Sequence, residues 1–438
     1  MRTMNKTMGL LFRILIVWLA ALPALQAAEE PRQWSEVHLD ELLVLYSEFH
    51  SQPELSFQEV KTAARLADAW RDCGVEVTTG VGGHGVVGLL ENGPGPVVML
   101  RADLDALPVI ERTGLAFASR VHTVNEDGGE VGVMHACGHD VHMTNIIGVA
   151  CYLAANQSLW KGTVMLLGQP AEERGAGARA MLDDGLFERF PKPDFAVALH
   201  VSPIMATGQI GYRPGYTMAN VDSVDITLYG KGGHGAYPHT TIDPVVQAAQ
   251  LVLALQTIVS REIDPIEPAV ITVGSIHGGT KHNIIGDTVK LQLTVRSFAE
   301  EVRQQLLAAI KHKAESVASG AGAPEPLVEI AEGTPSLFND PGLTARLRPA
   351  FQDQLGEEDI ELSKQTMGGE DFSRFGREGI PILMYWLGAV SQERLDAYAA
   401  SGEPPPSLHS PLFYPDVEAT LVTGVTTMAA TVLELLKP

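Results

Sequence analysis

The stretch VVMLRADLDALP, residues 97–108, begins with an apolar run and continues directly into a charged cluster. Three further apolar runs of this kind lie at residues 164–167, 195–199 and 382–386. Short, continuous apolar runs are typical of strands that helices cover on both faces of a sheet. Helix-like stretches between them supply crossover connections. The pattern therefore predicts an α/β fold with a mainly parallel sheet flanked by helices.

Residues 223–330 follow another pattern. They contain, in order, an alternating strand, a helix, two strands, a long helix and a last strand. This order is that of the split βαβ arrangement of a small two-layer domain. We therefore predict an inserted two-layer α+β, ferredoxin-like domain at residues 214–332. The larger domain then consists of residues 29–213 and 333–438.

Length and charge limit the class of protein. The chain has 438 residues, an apolar fraction of 45% and a formal net charge of −22. This length fits about two domains, and the apolar fraction excludes intrinsic disorder. The acidic balance argues against nucleic acid or an anionic membrane surface as the main partner.

The N-terminal residues predict a targeting signal. Basic side chains occur within residues 2–13, residues 14–25 are almost entirely apolar, and Ala27 and Ala28 follow. This order is that of a secretory signal peptide, here residues 1–28. We therefore expect a periplasmic or secreted protein after cleavage near Ala27 or Ala28. An uncleaved anchor is the alternative.

Polar residues follow the apolar runs and should meet at one edge of the sheet, because sites in parallel α/β sheets form at the carboxyl ends of strands. The densest cluster is HACGHDVH, residues 135–142. Cys137 and His139 lie two apart and can face one centre, and thiolate and imidazole bind zinc or similar metals. A buried thiol beside ordinary surface histidines is the alternative. Cys73 and Cys151 are interpreted as core residues.

The adjacent carboxylates Glu172 and Glu173 follow the apolar run 164–167. Adjacent side chains in extended backbone point to opposite sides, so that one carboxylate can bind metal while the other serves as a base. A solvated acidic turn is the alternative. His200 and His409 are further candidate ligands, although each alone is more often a structural histidine.

The inserted segment offers fewer signals. The Gly-rich turn GKGGHGA, residues 230–236, lacks the spacing of a phosphate-binding loop. Arg296 and Asn283 form a sensible pair for a carboxylate. A loop cap and a surface ion pair are the alternatives.

Eight segments of the sequence occur in the order of a known family. They are residues 50–56, LRADLDALP (100–108), MHACGHDVH (134–142), GQPAEE (168–173), LHVSP (199–203), GKGGHGAYPH (230–239), GGEDFSRF (368–375) and LHSPLF (408–413). Together they resemble the metal-dependent amidohydrolase/peptidase family of aminoacylase, hippurate hydrolase and plant indole-acetyl-amino-acid hydrolases. The resemblance covers nearly the whole chain after the predicted signal.

The resemblance implies a role for each matching residue. Two divalent ions per subunit (zinc, manganese, cobalt or nickel) would be held by Cys137, His139, Glu173, His200 and His409. Glu172 matches the general base, and Asp103 supports the ligands from behind. His234, Asn283 and Arg296 match residues that meet the substrate. The counterpart of His234 often reaches the site of a neighbouring subunit, which implies a homodimer, or a tetramer, formed through the inserted lid and dimerisation domain.

Two departures refine this assignment. Arg101 stands where the dipeptidase-like branch has a ligand histidine, and together with Cys137 it indicates the amidohydrolase branch. Gly286 replaces the proline that is usual in the family's Asn-x-Ile-Pro-Asp stretch, which here begins at Asn283.

The implied reaction is hydrolysis of the amide bond of an N-acyl or N-aroyl amino acid, such as a hippurate-like compound, by a water molecule that the metal ions activate. A dipeptidase or carboxypeptidase of the same family is one alternative. An exported binder of amino-acid conjugates without turnover is another. The presence of Glu172 beside a full ligand set favours an enzyme.

Overall fold

A computed structural model describes residues 29–125 and 128–438. The predicted signal peptide, residues 1–28, lies outside the described residues. Among the helices of the described ranges, none combines the length and the apolar character that crossing a membrane requires.

The described residues form helices and strands of various lengths. The strands are β1 (Glu76–Val81), β2 (Gly85–Asn92), β3 (Val97–Asp103), β4 (His122–Val124), β5 (Glu130–Gly132), β6 (Gly162–Gln169), β7 (Phe195–Ala206), β8 (Ile210–Tyr212), β9 (Gly215–Met218), β10 (Asn220–Tyr229), β11 (Gly233–His234), β12 (Ala269–Gly278), β13 (Ile284–Ile285), β14 (Thr288–Ser297), β15 (Leu327–Thr334), β16 (Leu337–Asn339), β17 (Ile360–Leu362) and β18 (Ile382–Val390). The helices are α1 (Pro31–Val37), α2 (Leu39–Ser51), α3 (Val60–Asp72), α4 (His139–Ala155), α5 (Gly177–Asp183), α6 (Leu186–Arg189), α7 (Pro244–Thr257), α8 (Glu300–Gly320), α9 (Pro341–Leu355), α10 (Ser373–Arg377), α11 (Gln392–Ser401) and α12 (Val417–Leu435). A single 3₁₀ turn, Glu172–Arg174, follows β6.

Within the described part of the chain, the larger sheet has eight strands in the order β1-β2-β6-β3-β7-β18-β8-β17. Its four central strands, β6, β3, β7 and β18, run parallel to one another. These are the strands that contain the four apolar runs of the sequence. The α/β fold with a mainly parallel central sheet is therefore confirmed.

The central strands are apolar throughout because both faces of the sheet are covered. Val98 and Leu100 of β3 pack into one core cluster with residues of α4 and α12. Met99, which lies between them, points to the opposite face and packs with Met181 of α5 and Phe375 of α10. Successive residues of a strand point to opposite faces, so that a strand buried on both faces has no polar alternation.

The smaller sheet has, in the described ranges, four antiparallel strands in the order β12-β14-β10-β15. Strand β10 alternates buried and more exposed residues, because α7 and α8 cover only one face. Leu251 of α7 and Leu306 of α8 are fully buried against Ile226 and Leu291 of this sheet. The domain boundaries at 213/214 and 332/333 stay predictions.

The sequence predicts a helix over residues 34–49, but the structure has two. Helix α1 ends at Val37, and α2 begins at Leu39. His38 lies between them and its Nδ1 is 2.9 Å from the main-chain oxygen of Trp34. Apolar periodicity continues across the break, so the sequence pattern does not reveal it.

The interpretation of Cys73 and Cys151 as simple core residues is wrong. The two residues form a disulfide that joins the end of α3 to α4. Both are only half-buried. The pairing depends on how α3 and α4 pack, which spacing along the chain does not show. Cys137 keeps a free, buried thiol.

Candidate active site

A cleft of about 500 Å³ opens beside the carboxyl ends of the central strands. Its polar lining includes Cys137, Glu172, Glu173, His200, Glu370 and His409. Segments that are far apart along the chain meet here, because the parallel strands that precede them end at the same edge of the sheet.

A tight turn brings Cys137 and His139 to this cleft. Gly138 has a left-handed backbone with φ +80°, and a Cβ at this position would lie 2.5 Å from Cγ2 of Val201. Only glycine fits both conditions, and the turn leads directly into α4. His200 in β7 faces the same point, with its Nε2 3.5 Å from Sγ of Cys137.

Glu173 joins the remaining candidate ligands. Its Oε1 lies 3.9 Å from Nε2 of His139 and 3.4 Å from Nε2 of His409. The loop that carries His409 is attached to the Cys137 loop, because the main-chain N–H of His409 donates to the oxygen of Ala136. The five predicted ligands therefore meet in one place.

The donor set fits a divalent cation. His139 Nδ1 lies 2.7 Å from the main-chain oxygen of Asp105, and His200 Nδ1 lies 2.9 Å from that of Val201. These contacts assign the N–H to Nδ1 and leave the lone pair of each Nε2 for a metal. Among the described residues, Nε2 of His139 and Oε1 of Glu173 are buried without a hydrogen-bond partner. Such orphaned acceptors are costly unless a cation occupies the space between them.

His142 lies close to these ligands but has another role. Its Nδ1 is 2.7 Å from a carboxylate oxygen of Asp103, and its Nε2 accepts a hydrogen bond from the main-chain N–H of Val201. Burial lowers the pKa of His142, which keeps the ring neutral. Both nitrogens are used, so His142 is a structural histidine. Asp103 also lies 3.5 Å from Nε2 of His139, as expected of a residue that supports the ligands.

Glu172 lies in a strongly acidic and buried setting. Burial, and then the neighbouring carboxylate of Glu370, raise the pKa of Glu172 well above its usual range. A carboxyl group with a raised pKa accepts a proton readily and can release it again, as general acid–base catalysis requires.

Sequence reasoning gave no role to Glu370 and Asp371, although the segment 368–375 was part of the resemblance. The guanidinium of Arg101 lies 2.8 Å from Glu370 and 3.1 Å from Asp371. Arg101 also donates to Asp103 over 2.8 Å. The sequence does contain a signal for this network, because Glu370 and Asp371 lie between a Gly-Gly pair and an apolar residue. Two adjacent acids in such a segment suggest burial, and buried acids need a cationic partner.

The predicted substrate residues are divided by the structure. Arg296 of β14 lines the cleft, where its Nη1 donates to the main-chain oxygen of Met367 over 2.7 Å. His234 lies on the short strand β11, and Asn283 lies in the loop directly before β13, with which β11 pairs. Both residues are exposed. In the described ranges neither lines the cleft of its own chain.

Comparisons with known proteins agree with this arrangement. The chain matches the family described as peptidase family M20/M25/M40 over residues 99–433. It is 38% identical over 349 residues to the N-acetyl-L-cysteine deacetylase of Bacillus subtilis (strain 168), covering 80% of each chain. It is 36% identical over 359 residues to thermostable carboxypeptidase 1 of Saccharolobus solfataricus, covering 81% of this chain and 87% of that protein.

A solved structure from Bacillus subtilis, described as a dinuclear metal binding peptidase from the M20 family, has a TM-score of 0.75 and 31% identity to this chain. The alignment covers 92% of this chain and 99% of that one. The family resemblance that the motifs indicated is therefore confirmed, and this chain belongs to peptidase family M20/M25/M40.

Proposed function

We propose that this protein hydrolyses the amide bond of N-acyl or N-aroyl amino acids with two divalent ions bound by Cys137, His139, Glu173, His200 and His409. The observation that carries the proposal is the position of Glu172, a buried carboxyl group with a raised pKa directly beside this ligand set. A binding protein needs the ligands but has no use for a poised base.

Bound divalent ions supply Lewis acidity, which polarises the substrate carbonyl and makes water acidic near neutral pH. Glu172 takes a proton from the attacking water and afterwards delivers it to the leaving amine. Arg101, paired with Glu370 and Asp371, places a fixed positive charge behind the carboxylates and limits their mutual repulsion. The protonation state of Glu172 can then change while the loop that carries Glu172 keeps its position beside the other carboxylates.

Arg296 is the candidate for the free carboxylate of the substrate. Its side chain lies at the cleft, and its guanidinium has donors beyond the one used by Met367. The cleft, at about 500 Å³, has room for an amino acid with a small or aromatic acyl group. The deacetylase relative supports N-acetyl amino acids as substrates, and hippurate-like compounds stay a proposal.

The smaller sheet, with α7 and α8, is proposed to act as a lid and to form a homodimer. Nδ1 of His234 accepts from the main-chain N–H of Ala236 over 3.0 Å. This contact leaves the N–H on Nε2, where it can donate to a developing oxyanion. Because His234 and Asn283 are exposed away from the cleft of their own chain, a partner subunit is the natural place for them to act.

Export is supported by one further feature. Disulfides form and persist in oxidising compartments, and the Cys73–Cys151 bond joins two helices of the larger unit. Together with the signal-like N-terminal residues, the disulfide favours a periplasmic or secreted protein.

The test is a hydrolysis assay on purified mature protein loaded with zinc, manganese, cobalt or nickel. Release of free amine from N-acetyl amino acids or hippurate, with about two metal ions per chain by elemental analysis, is the expected result. The carboxypeptidase relative makes peptide hydrolysis the second candidate, so dipeptides and N-blocked dipeptides belong in the same panel. Binding of these compounds without amine release, or activity without stoichiometric metal, would contradict the proposal.

A further inference from the structure

Asp105 lies beneath the main chain of the two adjacent glutamates of the cleft, Glu172 and Glu173. Its side chain is fully buried. Oδ1 accepts the main-chain N–H of Glu172 over 3.1 Å, and Oδ2 accepts that of Glu173 over the same distance. The proposed base and a proposed metal ligand are therefore held through their main chains by a single carboxylate.

Asp105 also contacts the histidine side of the cluster. Its main-chain oxygen lies 2.7 Å from Nδ1 of His139, and its Oδ1 lies 3.5 Å from the same nitrogen. Both contacts favour a proton on Nδ1, which leaves the lone pair of Nε2 for a metal. One residue thus orients three members of the site: Glu172, Glu173 and His139.

The turn that Asp105 holds includes a residue in an unfavourable backbone conformation. Ala171, directly before Glu172, has φ +49°, a left-handed conformation that residues with a Cβ rarely adopt. Its main-chain N–H donates to Oε1 of the buried Glu59 over 2.8 Å. Three consecutive amides, those of Ala171, Glu172 and Glu173, are therefore bound by two buried carboxylates, which fix the turn against its intrinsic preference.

We propose that Asp105 is a positioning residue, whose carboxylate sets the direction in which Glu172 and Glu173 leave the main chain and whose main-chain oxygen sets the tautomer of His139. This proposal rests on the proposed function. The chemistry requires a carboxylate, because three donors converge on it: the two amides and the hydroxyl of Ser56, which donates to Oδ2 over 2.6 Å. Asparagine has a single acceptor oxygen, and its NH₂ group would face one of the two amide N–H groups.

Asp105→Asn is the decisive variant. We expect kcat to fall and zinc to bind more weakly, each by about tenfold to a hundredfold, while KM changes less than about threefold. Zinc affinity is measured by chelator competition on the metal-free protein without substrate. This readout remains valid if wild-type protein cleaves nothing in the panel, so that failure of the proposed function is distinguishable from failure of this inference.

The matched control is Asp340→Asn. Asp340 also accepts a main-chain amide, that of Leu343 over 2.7 Å, but it caps α9 outside the cleft. Replacing a carboxylate that has only a structural role should lower the melting temperature. Zinc affinity and kcat should stay unchanged at a temperature where the variant is folded. Wild-type zinc affinity and kcat in Asp105→Asn, or losses equal to those of Asp340→Asn, would overturn the proposal.

Ser56→Ala provides the graded test, and it decides the matter if Asp105→Asn does not fold. It removes one of the three donors and leaves both amides in place. We expect a fall in kcat of about threefold with an unchanged melting temperature. A Ser56→Ala protein with wild-type kcat, in the absence of a folded Asp105→Asn, would contradict the role of the carboxylate.

Discussion

The larger sheet buries its functional side chains in a network of fixed partners, whereas His234 and Asn283 lie exposed at the separate two-stranded pairing of β11 with β13. In the first region, Asp103, Asp105 and Arg101 orient the candidate ligands through hydrogen bonds and ion pairs. In the second, the orienting contacts must come from elsewhere. The contrast supports the proposal that the metal ligands belong to one subunit, while His234 and Asn283 act after a movement or in a second subunit.

The largest expected effect comes from the buried region. Glu172→Gln removes proton transfer at both steps, so kcat should fall at least about a hundredfold while metal content stays unchanged. Steady-state amine release and elemental analysis check this. The matched control is Glu188→Gln, an exposed glutamate on α6. Near-full turnover in metal-loaded Glu172→Gln would remove Glu172 from the mechanism.

The disulfide should stabilise the larger unit alone. Replacing Cys73 and Cys151 by serine opens a loop closed over a sequence separation of 78 residues. The chain-entropy account gives a loss of about 4.5 kcal/mol in the free energy of unfolding. Denaturant unfolding measures the loss. Hydrogen exchange should increase in α3 and α4 and stay constant in α7 and α8. Equal increases in both pairs of helices would contradict the expectation that the disulfide stabilises the larger unit alone.

A buried histidine makes the stability of the larger unit depend on pH. His50 lies 2.7 Å from Asp140 and 3.1 Å from Glu111, and these carboxylates outweigh burial and raise its pKa to about 9. Because folding raises the pKa of His50, its protonated form stabilises the folded protein fully below pH 6.5, the pKa of histidine in the unfolded chain. This stabilisation is lost as the pH rises through 9.

His50→Gln should therefore destabilise the protein by about 3 kcal/mol below pH 6.5, and by progressively less between pH 6.5 and 9. Urea unfolding across this range measures the difference from wild type. His122→Gln, at an exposed position on β4, serves as the control. A difference that does not depend on pH would mean that folding leaves the pKa of His50 unchanged, and a difference of opposite sign would mean that His50 is neutral in the folded protein.

The smallest expected effect tests the exposed segment around β11. His234→Ala should lower kcat by about tenfold, which corresponds to the loss of one hydrogen bond to a charged group, without changing metal content. His239→Ala, in the same exposed segment, is the control. If His234 serves the partner's site, mixing His234→Ala with Glu172→Gln subunits restores about a quarter of wild-type activity, since half the dimers then hold one intact site. No recovery in mixed dimers would place His234 in its own subunit's site.

The central strands could be predicted because each depends on a local pattern, whereas the full ligand set was implied by the resemblance of eight segments to a known family. The local pattern alone shows that His200 follows an apolar run and that Cys137 and His139 flank Gly138, where the left-handed backbone and the nearby Val201 require glycine. The Cys73–Cys151 bond and the pairing of Arg101 with Glu370 could not be predicted in this way. Both contacts join residues that are far apart in the sequence and that come together only when helices and loops pack. Spacing along one sequence does not indicate such contacts.

The candidate ligands extend from Cys137 to His409, near the end of the chain, and no short segment holds more than two of them. An emerging nascent chain therefore cannot assemble this centre until the segment that carries His409 has been made. Metal acquisition must follow the folding of the larger unit, so the compartment in which folding finishes determines which ions the enzyme encounters.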